Sequence, residues 1–281
     1  MIAPPDGRAV TVVVVTRDRA ETLRATLPRH APYPVIVVDN GSGDASVAVA
    51  RAAGARVVAL GRNAGAAGRT AGVSLASTPY VAFADDDSWW APGALERAAA
   101  VLSAHPKLAV LAATVLVGPD ERLDPVCRQM SASPLAPVAA GPSVLGFVAC
   151  GSVVRTEAYL AVGGFPEPYG IGGEEEPLAL DLAAAGWELA YVTDVVAHHH
   201  PSPSRDPRRR AVVQRRNGIW TAWRRRSLPV ALARTRLALR DEVGRAALRE
   251  ACGRLSWALS TRRRLPPHVE RAVRLLERAP A

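Results

Sequence analysis

The chain has 281 residues, 49% hydrophobic and 22% charged, an ordinary composition for a globular protein with one large α/β domain or two smaller ones. No run reaches the roughly 18 apolar residues of a membrane span, and the opening MIAPPDGRAV lacks a signal peptide's charged and apolar regions, so a cytoplasmic protein is expected. The charge is uneven: residues 1–204 carry 14 basic and 20 acidic side chains, a net −6, whereas residues 205–281 carry 21 and 6, a net +15.

In chain order, AVTVVVVT (9–16) is a β-branched run and predicts a fully buried strand. RAETLRATLPRH has helical spacing through Leu23 and Leu27 and is stopped by Pro28. PVIVVDN (34–40) predicts a second strand, and DASVAVARAAG a helix with Asp44 or Ser46 as its cap. ARVVAL, AGRTAGVSLAS and YVAFADD continue as strand, helix and strand. Such alternation predicts a doubly wound, mostly parallel sheet, whose ligands bind outside the carboxyl ends of the strands. Thr16, Arg17, Asp39 and Asp85 to Asp87 fall at those ends and should line one crevice.

Beyond Trp90 the pattern is less regular. Residues 95–105 predict a helix, 108–118 a strand and 119–142 a loop region. VLGFVACGSVVRTEAYLAVGGF predicts strand, turn and helix; EPLALDLAAAGW predicts a helix and ELAYVTDVVAHHH a last strand. After PSPSRDPRRR the composition turns to arginine-rich helix, which places a boundary near residue 204.

Four stretches can carry chemistry. Asp85, Asp86 and Asp87 form either a solvated acidic turn or a grip for a divalent cation, which cancels their repulsion. GRNAGAAGRTAG (61–72) allows close backbone approach to a ligand, with Arg69 placed for a phosphate, or is a tight loop entering a packed helix. GIGGEEEPLALDL (170–182) reads as a glycine-rich loop delivering a general base, or as acids that favour a helix N-terminus. The triplet His198 to His200 ends the last strand; alternation sends His198 and His200 to one side and His199 to the other. The three cysteines (Cys127, Cys150 and Cys252) are too few and scattered for a disulfide framework or a cysteine metal site. A dinucleotide fold is disfavoured because the loop after the first strand has no glycine.

Together these motifs resemble the family-2 glycosyltransferases of the GT-A fold. TVVVVTRDRAETL, VIVVDNGSGD, GRNAGAAGRTAGV, ADDDSWWAPGAL and VGGFPEPYGIGGEEEPLALDLAAAGW occur in the family's order, over about residues 9–200. The resemblance implies an inverting, metal-dependent transfer from a nucleotide-diphosphate sugar to an acceptor hydroxyl, with Mn2+ or Mg2+ as cofactor. It implies a nucleotide-binding half over about 1–90 and an acceptor half over 91–204, beyond which the composition gives a basic helical extension over 205–281. It implies that Thr16, Arg17, Asp39 and Arg69 contact the nucleotide, and that Asp85 and Asp86 hold the ribose. Asp85, Asp87 and His198 would bind the metal, and Glu175, with Glu174 before it, would be the catalytic base.

Two other functions remain to be weighed. A sugar-1-phosphate nucleotidyltransferase calls for a lysine in a glycine-rich loop after the first strand, but the only lysine is Lys107. A nucleic-acid-binding protein calls for aromatics interleaved with the basic residues, where the tail offers Trp220, Trp223 and Trp257, so no nucleic-acid partner is expected. Around RRNGIWTAWRRR, Ile219, Trp220 and Trp223 share a helical face opposite Arg215, Arg216 and Arg224 to Arg226. That face is open to three roles: docking on the acidic domain, a homodimer interface, or contact with an anionic membrane at its inner face.

Overall fold

The β-branched run at the start of the chain becomes the middle of a parallel half-sheet. The computed structural model describes residues 9–201 and 206–279. In it β1 (Val10–Thr16) lies between β2 (Val35–Asp39) and β4 (Tyr80–Asp85), parallel to both, with β3 (Arg56–Ala59) outside β2. Every residue of β1 is buried, so it reads as a continuous apolar run and not as an alternating one. β8 (Ser152–Arg155) runs antiparallel to β4 and passes the sheet on to β6 (Leu108–Val117), β9 (Glu188–His199) and β5 (Ser88–Trp90). The short β7 (Arg122–Leu123) pairs with β6, giving nine strands among the described residues, parallel in the first half and mixed in the second.

Alternation along β1 divides the core between the two faces of the sheet. Val12 and Val14 pack with α1 (Ala20–Thr26), α2 (Ser46–Ala52) and α4 (Ala94–Ala104). Val13 and Val15 pack with α3 (Gly68–Val73), α5 (Pro125–Ser131), α6 (Thr156–Ala161) and α7 (Glu175–Ala184). At Gly72 an added Cβ would fall 2.6 Å from Val13 Cγ1, so this glycine lets α3 sit directly on the sheet.

Three local expectations are corrected. Residues 119–142 are not loop throughout: they hold β7 and α5, whose start is capped by Asp124 accepting from Val126 N at 2.8 Å. The stretch from Val144 holds no strand before Ser152; at its end Gly151 passes so close to β6 that a Cβ would lie 2.2 Å from Val115 Cγ2. The residue before α2 is Ala45, and Asp44 instead accepts from the N–H groups of Ser46 at 2.9 Å and Ala20 at 3.0 Å, joining the starts of α1 and α2.

The boundary expected near residue 204 lies outside the described residues. Beyond it come α8 (Pro207–Arg225), α9 (Leu228–Ala238), α10 (Glu242–Cys252), α11 (Leu255–Ser260) and α12 (Pro267–Arg278). Of the three roles open to the tryptophan face of α8, the structure shows packing on protein. Ile219 and Trp220 are buried with Tyr169 and α10, and Trp220 Nε1 donates to Ala251 O at 3.0 Å. Of the arginines expected on an exposed face, Arg224 to Arg226 are inside as well, whereas Arg215 is exposed. Arg225 pairs with Asp181 of α7, and Arg226, 1% exposed, reaches Glu270 at 2.9 Å and Glu277 at 2.8 Å. A buried guanidinium needs carboxylate partners, and Asp181 of α7 with Glu270 and Glu277 of α12 supply them to the end of α8. No helix of the described residues is long and apolar enough to cross a membrane.

Candidate active site

Three adjacent strands finish level. Thr16 is opposite Asp39 and Val15 is opposite Asp85, so the carboxyl ends of β2, β1 and β4 open onto one crevice. Thr16 Oγ1 donates to Asp86 Oδ2 at 3.0 Å, and Thr26 Oγ1 to the Asp86 carbonyl at 2.8 Å. Burial, together with the charge of Asp87, pushes the Asp86 carboxyl up to about 7. Asp39 is buried and accepts from Ser42, which fixes the turn after β2. Arg17 stands half-exposed on the turn after β1, its Nε 3.5 Å from Asp18.

Arg69 joins the aspartates to the glutamates. It is 2% exposed, hydrogen-bonded to Asp85, with Nη1 3.8 Å from Glu174 Oε1. The guanidinium, expected to contact the nucleotide, thus lies between two carboxylates that fix its position. Its Nε and Nη1 have no hydrogen-bond partner among the described residues. Glu174, 1% exposed, precedes α7 and accepts from Gly172 N. Glu175, the first residue of α7, lies among the charges of Glu174, Arg69 and Asp85. Burial raises both glutamates above the ordinary carboxyl range, and their mutual repulsion adds to the rise at Glu175.

The loop before Glu174 is held from two sides. Gly170 O accepts from Ala66 N at 3.1 Å, and Gly65 approaches so closely that a Cβ there would lie 2.6 Å from Gly170 Cα. From α8, the fully buried Asn217 donates its Nδ2 to Tyr169 O at 2.9 Å and Gly172 O at 2.7 Å. A cavity of about 530 Å³ opens between α5, α7 and α12, with Glu175 and Glu176 in its wall.

The histidines divide as alternation requires, and the one beside the aspartates is not His198. His198 pairs across the sheet with Trp89, stacks on its ring at 5.3 Å, and its Nδ1 lies 2.8 Å from Glu121 Oε2. His199 pairs with Ser88, which carries its ring to the aspartates, Nε2 3.3 Å from Asp87 Oδ1. The structure therefore brings His199, and not the expected His198, to the aspartates. Ligand atoms of Asp85, His199 and Cys150 lie within 4.8 Å of one another. Cys150, set aside in the sequence, is buried beside the aspartates, and burial pushes its thiol well up. The buried His199 Nε2 has no hydrogen-bond partner among the described residues, so the donor set of carboxylates and imidazole fits a divalent cation.

The sequence pattern described as Glycosyl transferase family 2 matches residues 11–163, more than half of the chain. The chain belongs to that family. A pre-mycofactocin glycosyltransferase of Mycobacterium tuberculosis is 33% identical over 221 residues, covering 72% of this chain and 46% of the relative. The chain thus spans less than half of that protein's length. An N-acetylglucosaminyl-diphospho-decaprenol L-rhamnosyltransferase of the same organism is 28% identical over 276 residues, covering 80% and 89%. Among solved structures, a mannosyltransferase of Pyrobaculum calidifontis in complex with GDP-Man and Mn2+ superposes with a TM-score of 0.60 at 19% identity, over 97% of this chain and 76% of that one. TarS 1–349 of S. aureus in complex with UDP-GlcNAc gives 0.58 at 16% identity, over 94% and 83%. These likenesses show the fold, the GT-A architecture that the motif order implies.

In this family-2 glycosyltransferase the residues missed in the sequence are His199, Cys150 and Asn217. Strand alternation separates His199 from His198 but not which of them meets the aspartates. Nothing in the spacing of Cys150 or Asn217 signals their positions.

Proposed function

We propose that the chain is a metal-dependent inverting glycosyltransferase, moving a sugar from a nucleotide-diphosphate donor to an acceptor hydroxyl. The observation that carries this is the position of Glu175: a carboxyl of raised pKa among the charges of the strand-end aspartates on one side and lining an open cavity on the other. The nucleotide lies in the crevice of the first 90 residues, with Asp39 toward the base, Arg17 beside it, and Thr16 with Asp86 toward the ribose. Arg69, whose Nε and Nη1 make no hydrogen bond among the described residues, directs its positive charge toward the diphosphate. Asp85, Asp87 and His199 would hold Mn2+ or Mg2+, which when bound neutralises the charge developing on the leaving diphosphate. Glu175 accepts the proton of the acceptor hydroxyl as that oxygen attacks the anomeric carbon from the opposite face. Glu174, enclosed against Arg69, orients the guanidinium and raises the affinity of Glu175 for the proton. The neighbours solved with GDP-Man and UDP-GlcNAc support a nucleotide-sugar donor.

Calorimetric titration with uridine, thymidine and guanosine diphosphates in the presence of Mn2+ tests the donor half of this reading. Saturable, metal-dependent binding of one of them is expected; failure of all three to bind overturns it.

A further inference from the structure

The cavity behind Glu175 has a wall that selects chemistry. Its apolar lining comes from Met130 of α5, Val144 and Phe147 of the crossing segment, Leu180 of α7, and Val273 and Leu276 of α12. Its charged lining is mostly acidic: Glu175, Glu176 and Glu277, against one cation, Arg234, whose Nη2 is tied to Glu277 Oε1 at 3.0 Å. Resting on the glycosyltransferase reading above, we propose that this cavity is the acceptor subsite, and that it takes an uncharged alcohol with an apolar body of about one or two rings.

The volume of about 530 Å³ lies inside the roughly 300–1,000 Å³ typical of small-molecule sites. An acceptor hydroxyl placed against Glu175 directs the rest of the molecule along the apolar wall. An aromatic or alicyclic group gains there by leaving water. A polyhydroxylated sugar filling the same space would find partners at Gln129, Ser133 and the charged side chains, but would bury its remaining hydroxyls against the methyl and phenyl groups of the apolar wall. A phosphate-bearing acceptor meets three carboxyl groups and an arginine already engaged, so the wall disfavours anions. The helices beyond residue 206 therefore build part of the acceptor subsite: α9 supplies Arg234, and α12 supplies Val273, Leu276 and Glu277. A second cavity of about 440 Å³ is lined by His268, Glu188 and Leu275 and by none of the glutamates beside the strand-end aspartates, so it lies apart from this site.

Gly146 supplies the test. It lines the cavity, and a Cβ added there meets nothing within 4 Å, so Gly146→Phe projects a ring into open space. Ligand-observed NMR with the full chain, using 2-phenylethanol, glucose and inorganic phosphate as probes, reads occupancy directly. Saturable binding of 2-phenylethanol is expected, at least tenfold weaker in Gly146→Phe, with nucleotide-diphosphate binding equal in both proteins. Leu276→Trp, which narrows the cavity from α12, should act the same way should Gly146→Phe fail to fold. Normal nucleotide binding without 2-phenylethanol binding overturns this inference alone, as does glucose or phosphate binding that either substitution blocks. Failure of the wild-type chain to bind any nucleotide diphosphate strikes the glycosyltransferase reading instead.

Discussion

The strand-end crevice and the glutamate loop form opposite sides of one site, but they are built differently. The crevice is local: Thr16, Asp39 and Asp85 are each the last residue of a buried parallel strand, and strand register alone brings them level. The glutamate loop is assembled at long range. Its backbone rests on Gly65 and Ala66 from the donor side and hangs from Asn217 of α8 on the other. A site of this kind tolerates drift in the distant helices only as far as Asn217 and Arg69 keep the loop in place. Changes in the crevice should therefore act on donor binding, and changes behind the loop on transfer.

The largest effect expected within the crevice is loss of metal-dependent nucleotide binding in Asp87→Ala, measured by titration with and without Mn2+. His199→Ala should weaken the same binding strongly, whereas His198→Ala, which removes a ring stacked on Trp89, should leave it nearly unchanged. Strong weakening in His198→Ala with normal binding in His199→Ala would reverse the assignment. On the loop side, Asn217→Ala strands the Gly172 carbonyl while Arg216 Nη2 still serves Tyr169 O at 2.7 Å. One stranded buried carbonyl costs about 1–3 kcal/mol of stability, readable by urea unfolding. Transfer should fall in that variant while donor affinity holds; equal losses of both would erase the distinction between the two sides.

Acidity supplies a smaller test. On the proposal that Glu175 is the base, transfer requires it ionised; burial raises its proton affinity, so the acid limb of kcat/KM should lie above the ordinary glutamate range. The opposite sign holds at Glu277, whose carboxyl is held down to about 2, chiefly by its hydrogen bond from Arg226. A carboxyl depressed in the folded state contributes stability above its unfolded value, and that contribution is lost as pH falls from about 4.5 to about 2. Thermal unfolding over that window should fall less steeply in Glu277→Gln than in the wild type; parallel curves would show that the pair contributes nothing to docking α12.

The same contrast explains what the sequence makes legible. Buried parallel strands are apolar runs cut off by polar residues, so Val10–Thr16, Val35–Asp39 and Tyr80–Asp85 and the residues at their ends can be read directly. The identity of the histidine depends on how β9 pairs with β5, and the β6–β9 ladder carries a register shift between Ala113 and Thr114 that no local pattern announces. The choice of Glu175 over Glu174 rests on the resemblance alone, since helix starts are blurred by one or two residues in any pattern of spacing. In α8 an apolar stripe beside arginines has the same form whether it meets lipid or protein; only Asp181, Glu270 and Glu277 across the interface decide.

The central claim is that Glu175 takes the acceptor's proton. Glu175→Gln keeps the shape of the side chain and removes its basicity. Single-turnover transfer from a bound donor, measured alongside donor affinity, should fall by about a hundredfold or more while donor affinity stays close to wild type. Transfer at the wild-type rate in Glu175→Gln, or a loss of that size in Glu174→Gln instead, would contradict the account.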